Sequence, residues 1–328
     1  MNKIDYEIED FMCYCGSKGL SKKTMNSYET TLKIFARYLE DVEKITSTKE
    51  VTKEVSRKYI MYLKERGKYT VVTNNNTKEI NKPQNRTDYA KPIKNSTINN
   101  YIRNLKVYFH FMEDNYVIRT SPLSTTSLLR APRKKKPFIN DEEFRNLIKC
   151  LDTSRFAEYR DYIIIKLIFD TGMRIGETLS IEINDIDIKN RAINLRAETT
   201  KAKKARTVFF SLKMCEELKK WFKFKDRYIE TNLLFPTQVR DKPLEISNFE
   251  KNYKKYCNRV NIKEASPHGL RNNFAKRCLM QGMDIYTLSR ILGHSSVTVT
   301  EKCYLDLDDE DIRKNYQKYS PLMNLKRA

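Results

Sequence analysis

The stretch Pro267–Tyr304 reads PHGLRNNFAKRCLMQGMDIYTLSRILGHSSVTVTEKCY, and it decides how the fold of the whole chain is interpreted. It contains His268-Gly-Leu-Arg271, then Leu292-Gly-His294, and then Tyr304, ten residues beyond the second histidine. Two of the chain's three histidines lie in these motifs. A lone histidine is more often a packed or surface residue, and Tyr304 is one of 20 tyrosines. The motifs therefore gain meaning only through the segments that accompany them.

Two such segments lie upstream. Thr171-Gly-Met-Arg174-Ile-Gly-Glu177 follows the apolar run Tyr162–Phe169, which predicts a buried helix ending at Thr171-Gly172. Lys201 lies in the basic stretch Glu198–Arg206, which is predicted to be the turn between two short strands. Segments with β-like composition cover residues 186–188, 192–195 and 207–210, and the pattern is again mostly helical from Leu212 onward. This part of the chain therefore reads as helical with a small antiparallel sheet.

These residue types suit the exchange of phosphodiester bonds without a metal ion. Arginine binds two phosphate oxygens with its planar fork and keeps its proton, so it can stabilise the charge that builds on the phosphate. A tyrosine oxygen can carry the phosphoryl group, but its pKa near ~10 means that deprotonation must be assisted. Histidine moves protons near neutral pH, and a lysine on a turn can protonate the leaving oxygen. No P-loop and no evident acidic metal cluster accompanies them, so no nucleotide, metal or other cofactor is predicted.

Taken in order, the five segments resemble the tyrosine recombinase, or phage integrase, family. The resemblance covers about residues 138–328, and its motifs span Thr171–Tyr304. It implies that Tyr304 is the nucleophile and that Glu177 matches the family's acidic position. It also implies that the scissile phosphate and the proton transfers involve Arg174, Lys201, His268, Arg271 and His294. Lys203 and Lys204 are neighbours that compete with Lys201, and Ala202 stands where the family often has glycine.

The remaining chain resembles the family only by pattern. Residues 1–115 predict a helical core-DNA-binding domain, with a helix capped by Ser21, a helix over about 51–66 and another that begins after Ser96. A polar insertion, about 68–95, is either a small hairpin starting at Thr70–Thr73 or a disordered loop.

The rest of the chain divides into two parts. Residues 116–137 are predicted to form a basic interdomain linker, and residues 138–328 a catalytic domain with a C-terminal tail for subunit contact. The fold class is therefore mostly α, with a small antiparallel β-sheet in the C-terminal domain.

Charge points to a polyanionic partner. The formal net charge is +21, and both parts contribute, with 27 basic and 15 acidic side chains in residues 1–137 and 36 and 27 in residues 138–328. A Lys-rich but merely soluble surface is the alternative. Seven scattered cysteines without a CxxC pair favour reduced thiols, and no signal peptide or membrane segment is predicted. The candidate DNA contacts are Arg133, Lys134, Lys135, Lys136, Lys203, Lys204 and Arg206.

The preferred interpretation is a site-specific recombinase of a mobile element, working as a homo-tetramer on double-stranded DNA with specific core sites. The resemblance implies a 3′-phosphotyrosyl intermediate, a Holliday junction and a tail that docks on a neighbouring protomer, with docking on its own domain as the alternative. An accessory DNA-bending or directionality factor is a candidate partner. A Xer-type chromosome-dimer resolvase is the alternative within this class. A non-catalytic DNA-binding regulator and a type IB topoisomerase are the alternatives outside it. The expected location is the prokaryotic cytoplasm, in association with the nucleoid.

Overall fold

The computed structural model describes residues 3–72, 79–132, 138–200, 204–238, 241–263 and 266–304, together with 313, 316 and 320. The polypeptide forms two compact units, Met1–Arg133 and Lys134–Ala328. Most described residues are helical, and the one sheet among them is a small antiparallel one in the second unit, so the predicted fold class is confirmed. Within the described ranges, no helix combines the length and apolar character that a membrane crossing requires.

Four long α-helices lie in the described residues of the first unit: α1 (Lys3–Ser17), α2 (Lys22–Tyr38), α3 (Lys53–Glu65) and α4 (Asn95–Asp114). The three helices predicted here are present with small shifts of their ends. The Ser21 hydroxyl accepts from the Thr24 N–H at 3.2 Å, which satisfies a free donor at the start of α2. Aromatic side chains spaced at helical intervals meet in the core, including Phe11, Phe35, Tyr59, Tyr108 and Phe109.

The described part of the polar insertion is closed at its base. The Lys68 N–H donates to the Lys91 carbonyl at 2.9 Å, and the Ala90 N–H donates to the Lys68 carbonyl at 3.0 Å. The hairpin predicted to start at Thr70–Thr73 is not formed by residues 70–72. Tyr69 has a φ of 62°, so the chain turns before a strand can extend. Thr73 and the asparagines at the predicted turn lie outside the described residues.

The second unit combines a three-stranded sheet with eight helices in its described ranges. The strands β1 (Ile186–Asp187), β2 (Ala192–Leu195) and β3 (Arg206–Phe209) pair antiparallel in that order, and Leu195 lies opposite Arg206. The helices are α5 (Asp141–Lys149), α6 (Phe156–Thr171), α7 (Ile175–Leu179), α8 (Leu212–Lys225), α9 (Ile246–Arg259), α10 (Pro267–Met280), α11 (Ile285–Leu292) and α12 (Val297–Tyr304).

Helix α6 occupies the middle of this unit. Its run from Ile163 to Ile168 is apolar on almost every side, and its isoleucines and Leu167 are fully buried. A helix that is apolar all round must be surrounded by other elements, and α8, α9 and α10 pack around it. The predicted buried helix is therefore the central helix of this unit, and α10, which carries His268 and Arg271, packs against it.

Helix α10 is also bonded to the segment that precedes α5. The Ile139 N–H donates to Asn273 Oδ1 at 3.0 Å, and Arg277 donates to the Ile139 carbonyl at 2.9 Å. The Arg277 guanidinium lies over the rings of Phe138 and Phe169, at 5.1 and 5.0 Å from their centroids. These contacts fix the orientation of the helix that carries His268 and Arg271.

Candidate active site

Two helix ends form the frame of the site. Gly172 (φ 67°) caps the C-terminus of helix α6, and its N–H donates to the Ile168 carbonyl at 2.9 Å. Gly293 (φ 62°) caps the C-terminus of helix α11, and the His294 N–H donates to the Ser289 carbonyl at 3.1 Å. Glycine adopts this left-handed conformation without the steric cost that other residues bear. The glycines of the T-G-x-R and L-G-H motifs therefore end two helices sharply and turn the following residues into the site.

Arg271 joins these two helix ends. Its side chain is buried, and its NH1 donates to the Gly172 carbonyl while its NH2 donates to the Leu292 carbonyl, both at 2.7 Å. Helix C-terminal carbonyls carry partial negative charge and favour a cation. Arg271 therefore holds together segments that are 99 and 21 residues away from it along the chain.

Arg174 stands at the start of α7, directly after the first helix end. Its NH1 donates to Glu177 Oε1 at 2.8 Å, and its NH2 donates to the Gly293 carbonyl at 3.1 Å. Its backbone N–H donates to Glu177 Oε2 at 3.0 Å. The Arg174 side chain keeps 28% of its surface exposed, whereas Glu177 keeps 2%. Glu177 therefore fixes an arginine that remains accessible from outside.

Arg206, at the start of β3, shares the same carboxylate. Its NH1 donates to Glu177 Oε1 at 3.0 Å and its NH2 donates to Oε2 at 2.7 Å. Burial alone would raise the pKa of Glu177, but the bonds from Arg206 and Arg174 outweigh it and hold the pKa of this carboxyl below its ordinary value. Glu177 is therefore a buried carboxylate that stays ionised between two arginines.

The two predicted histidines occupy different surroundings. His268 is exposed in the first turn of α10, three residues before Arg271, so the two positions lie on one face of the helix. His294 is half-buried, and its Nδ1 is hydrogen-bonded to Thr300 Oγ1 at 2.7 Å. Thr300 is fully buried on α12. This bond ties His294 to the helix that ends at Tyr304, and nothing in the sequence patterns had pointed to Thr300.

Several residues of the predicted site lie outside the part of the chain that the structure describes. Tyr304 is the last residue of α12, and its side chain lies outside the described atoms. Lys201 and Lys203 also lie outside them, as do Arg133, Lys134, Lys135 and Lys136 of the linker and most of the predicted C-terminal tail. Lys204 is exposed, and its N–H donates to the Thr200 hydroxyl at 3.0 Å beside the turn. The hydrogen bonds bring together the segments that carry Arg174, Arg271 and His294.

Helix α9 carries a basic face that lies outside the motifs described above. Its inner side chains Phe249, Tyr253 and Tyr256 are buried, so the opposite face points outward. That face borders an open cavity of about 530 Å³. The signal was present in the sequence, because lysines and asparagines alternate with the apolar positions at helical spacing. The exposed members are Asn248, Lys251, Lys254, Lys255 and Asn258.

Cationic side chains dominate the described part of the site. Across the described ranges, no group of three or more histidine, cysteine, aspartate or glutamate side chains is arranged to hold a metal ion. The polar groups at and between the two helix ends are three guanidinium groups, a half-buried imidazole and one ionised carboxylate. Such a set binds and stabilises an anion, and phosphate is the anion that matches forked arginines.

Two family models match the chain. The model of the phage integrase family matches residues 137–311, which is more than half of the chain, and the model of the phage integrase N-terminal SAM-like domain matches residues 8–77. The first match contains every motif of the candidate site. The chain belongs to the phage integrase family, the family of the tyrosine recombinases, which are enzymes that act on DNA strands.

Individual relatives agree with this assignment. Tyrosine recombinase XerC of Thermodesulfovibrio yellowstonii is 26% identical over 234 residues, covering 69% of this chain and 76% of that protein. Tyrosine recombinase XerD of Staphylococcus saprophyticus is 24% identical over 328 residues, covering 97% and 99%. Among solved structures, the Tn1549 transposon integrase in complex with a circular intermediate DNA superposes with a TM-score of 0.71 at 18% identity, covering 97% and 100%. This structural likeness shows a shared fold.

Proposed function

We propose that this protein is a site-specific DNA recombinase that cuts and rejoins strands through a covalent bond to Tyr304. One observation carries the proposal: Arg174 and Arg271 are both bonded to the helix end that immediately precedes His294. Two arginines held at one place supply the fixed positive charge that a phosphoryl transfer without a metal requires. Family membership supports the same chemistry.

The proposed reaction conserves the energy of the phosphodiester bond. The Tyr304 oxygen attacks the scissile phosphorus, so a tyrosine–phosphate bond forms while the bond to the 5′ oxygen breaks. Lys201 gives the departing 5′ oxygen a proton, and a histidine of the pair His268 and His294 accepts the proton of the tyrosine. The 5′-hydroxyl of a partner strand then attacks the 3′-phosphotyrosine, which restores a phosphodiester and releases Tyr304.

The arginines act on the non-bridging oxygens throughout. Charge on these oxygens must be stabilised at each transfer, and a guanidinium that is already oriented needs no rearrangement when the charge develops. Glu177 is proposed to support this role by orienting Arg174, which it contacts through both the side chain and the backbone N–H.

We assign residues 1–115 to core-DNA binding, 116–137 to a basic linker and 138–328 to catalysis. DNA contacts are proposed for Arg133, Lys134, Lys135, Lys136, Lys203 and Lys204. The exposed face of α9 adds Lys251, Lys254 and Lys255, whose positive charge suits phosphates, and asparagines that suit base edges. The net charge of +21 supports contacts to many phosphates.

The proposed assembly is a homo-tetramer on two double-stranded core sites, with paired strand exchanges through a Holliday junction. The segment after Tyr304 would dock on a neighbouring protomer and couple cleavage to assembly. A DNA-bending or directionality factor is a further proposed partner, and the proposed location is the nucleoid of a prokaryotic cytoplasm.

The mobile-element role has one competitor within the family. The likeness to the Tn1549 transposon integrase supports an integrase of a transposon or phage. The match to XerD of Staphylococcus saprophyticus, which extends over nearly both full chains, supports a chromosomal resolvase. We favour the mobile-element integrase. The position of the recognised DNA sequence in the genome would distinguish an integrase from a chromosomal resolvase.

Covalent trapping from a random library tests the proposed reaction without knowledge of the target sequence. Nicked duplexes with a randomised core are incubated with the protein, denatured, and the protein-linked DNA is sequenced. Wild-type protein should enrich one sequence class as a covalent adduct, and Tyr304→Phe should yield none. A lack of adduct with wild type, or binding without covalent capture, would favour a non-catalytic regulator. Relaxation of plasmids that lack the enriched sequence would favour a topoisomerase.

The enriched sequence then identifies the biological role. Under the mobile-element proposal, it matches DNA at the ends of the segment that carries this gene. A match to a single chromosomal site that lies apart from the gene would favour the resolvase. Recombination of a plasmid carrying two copies of the enriched sequence is the confirming assay.

A further inference from the structure

The guanidinium of Arg206 forms a two-point ion pair with the Glu177 carboxylate. Both terminal nitrogens face the carboxylate in parallel, at 3.0 and 2.7 Å, and the side chain is only 14% exposed. Its partner is an ionised carboxylate, which offsets its charge, whereas Arg271 donates to neutral carbonyls and keeps its net positive charge for a phosphate. The DNA contact predicted for Arg206 from its place in a basic run is therefore disfavoured by its geometry, in contrast to exposed Lys204.

The same guanidinium lies against the second helix end. A Cβ placed on Gly293 would come within 2.8 Å of Arg206 Cζ and Nε, so only a residue without a side chain allows this approach. The Gly293 carbonyl in turn accepts the bond from Arg174. Arg206, Glu177, Arg174 and Gly293 therefore form a closed ring of contacts, which joins β3, α7 and the loop before His294.

We propose that Arg206 is a positioning residue for strand cleavage: it holds Glu177 so that Glu177 orients Arg174. The inference rests on the proposed function and goes beyond it by giving a role to a residue that does not touch DNA. Glu177 is buried and accepts four hydrogen bonds that favour its ionised form, and Arg206 supplies two of them. Without Arg206, the carboxylate would turn towards Arg174 and draw that guanidinium inward, away from the phosphate.

The location of Arg206 explains why this role belongs to an arginine on the hairpin. It is the first residue of β3, five positions after Lys201, and it lies opposite Leu195 in the sheet. Its bonds to Glu177 therefore fasten the base of the hairpin to the segment of Arg174. Lysine at this position would keep the charge but could not make two parallel bonds.

A double-mutant cycle on the covalently enriched nicked duplex tests the proposal. The measured quantities are the single-turnover rate of adduct formation at saturating DNA, the Kd for DNA and its salt dependence. Arg206→Gln and Glu177→Gln should each slow cleavage by about 100-fold, the scale expected for a misplaced catalytic group. The double variant should be slower than either by no more than about threefold, because both changes disturb one unit.

Matched variants separate positioning from folding and from DNA binding. Arg206→Lys should remain at least about tenfold slow with an unchanged Kd, and it carries the test if Arg206→Gln does not fold. Arg196→Gln breaks another arginine–carboxylate pair beside the same sheet, between Arg196 and Glu182, and should cleave at the wild-type rate.

The possible results are distinguishable. Multiplying effects in the double variant, or a weaker Kd with a smaller salt slope for Arg206→Gln, would overturn the proposal and return Arg206 to the DNA contacts. Wild-type cleavage by Arg206→Gln would also overturn it. A failure of wild-type protein to form any adduct contradicts the proposed function itself, whereas the results above leave wild-type cleavage intact.

Discussion

Glu177 is the residue on which the geometry of the site depends most. It is buried, it accepts bonds from two arginines and from a backbone N–H, and each of its two oxygens accepts two of them. A buried carboxylate without such partners would be protonated or strongly destabilising. Its ionisation is therefore coupled both to the stability of the second unit and to the orientation of Arg174.

The stability difference between wild type and Glu177→Gln should depend on pH. The pKa of Glu177 in the folded protein lies below its ordinary value of 4.5, so its ionised form stabilises the fold above that pH. This contribution is lost as the pH falls through the folded-state pKa. The free energies of unfolding of wild type and Glu177→Gln should differ by a constant amount from about pH 6 to about pH 7. This difference should become smaller as the solution becomes more acidic. Urea titrations followed by the fluorescence of Trp221, the only tryptophan, would measure it. A difference that does not change with pH would contradict the coupling.

Thr300 should control the cleavage rate through His294. Thr300→Val removes the partner of His294 Nδ1 with little change in volume, and it should slow adduct formation roughly fivefold, the equivalent of one ordinary hydrogen bond. Thr300→Ser keeps the hydroxyl and should cleave at close to the wild-type rate. Equal rates for the valine and serine variants would show that the bond is not used.

At this scale, the sequence predicted the residues that carry recognisable motifs but not their partners. Short motifs identify Arg174, Glu177, Arg271 and His294. The basic run that ends at Arg206 instead predicts a DNA contact for that residue. Its pairing with Glu177, 29 residues away, is a tertiary contact that no local pattern encodes. The bond between His294 and Thr300 spans only six residues, but it joins the turn after α11 to α12, and no motif contains Thr300.

At the scale of elements, the two helix ends at Gly172 and Gly293 set the directions of the catalytic segments. The carbonyls at these ends accept bonds from both arginines. Their conformations have positive φ, and the space beside each is filled by another part of the site. The glycines therefore serve both the backbone turn and close packing.

Gly172→Ala should destabilise the second unit by roughly 2–4 kcal/mol. The new methyl group would collide with the Phe274 ring and Leu292, and the left-handed conformation adds a cost of its own. Urea unfolding followed by Trp221 fluorescence measures the effect. Gly176→Ala is the matched control, because its Cβ would meet Ile246 Cδ1 at an ordinary 3.6 Å within a helix. It should be neutral or slightly stabilising. Similar losses for the two variants would contradict the account of Gly172.

The elements themselves were largely predictable, and their ends less so. The buried helix before Gly172 follows from an apolar run that no exposed helix could carry. The third strand was predicted at Thr207–Phe210 and is Arg206–Phe209, because pairing with β2 extends to Leu195 and includes Arg206. Cross-strand register depends on the partner strand, which local composition does not specify.

At the scale of the whole molecule, positive charge in both parts of the sequence suits a partner with many phosphates. The described residues add the α9 face to the basic segments found in the sequence. Because each phosphate contact releases counterions, the contribution of a basic face can be read from the salt dependence of binding.

Replacing Lys251, Lys254 and Lys255 together with glutamine should reduce the slope of log K against log salt by about 2 to 3. The affinity of this triple variant for DNA at low salt should also fall. The matched control replaces Lys219, Lys220 and Lys223, three exposed lysines of α8, and removes the same charge from another face. That control should change the slope by less than about 1. Equal changes for the two triple variants would indicate that only net charge matters.

The most direct test of the central claim is to locate the DNA-linked residue by mass spectrometry. Trypsin releases the peptide Cys303–Arg313, in which Tyr304 is the only tyrosine. After covalent trapping and nuclease digestion, we expect a nucleotide-modified tyrosine in this peptide and its absence in Tyr304→Phe. A modified residue in any other peptide, or adduct formation that persists in Tyr304→Phe, would show that Tyr304 is not the nucleophile.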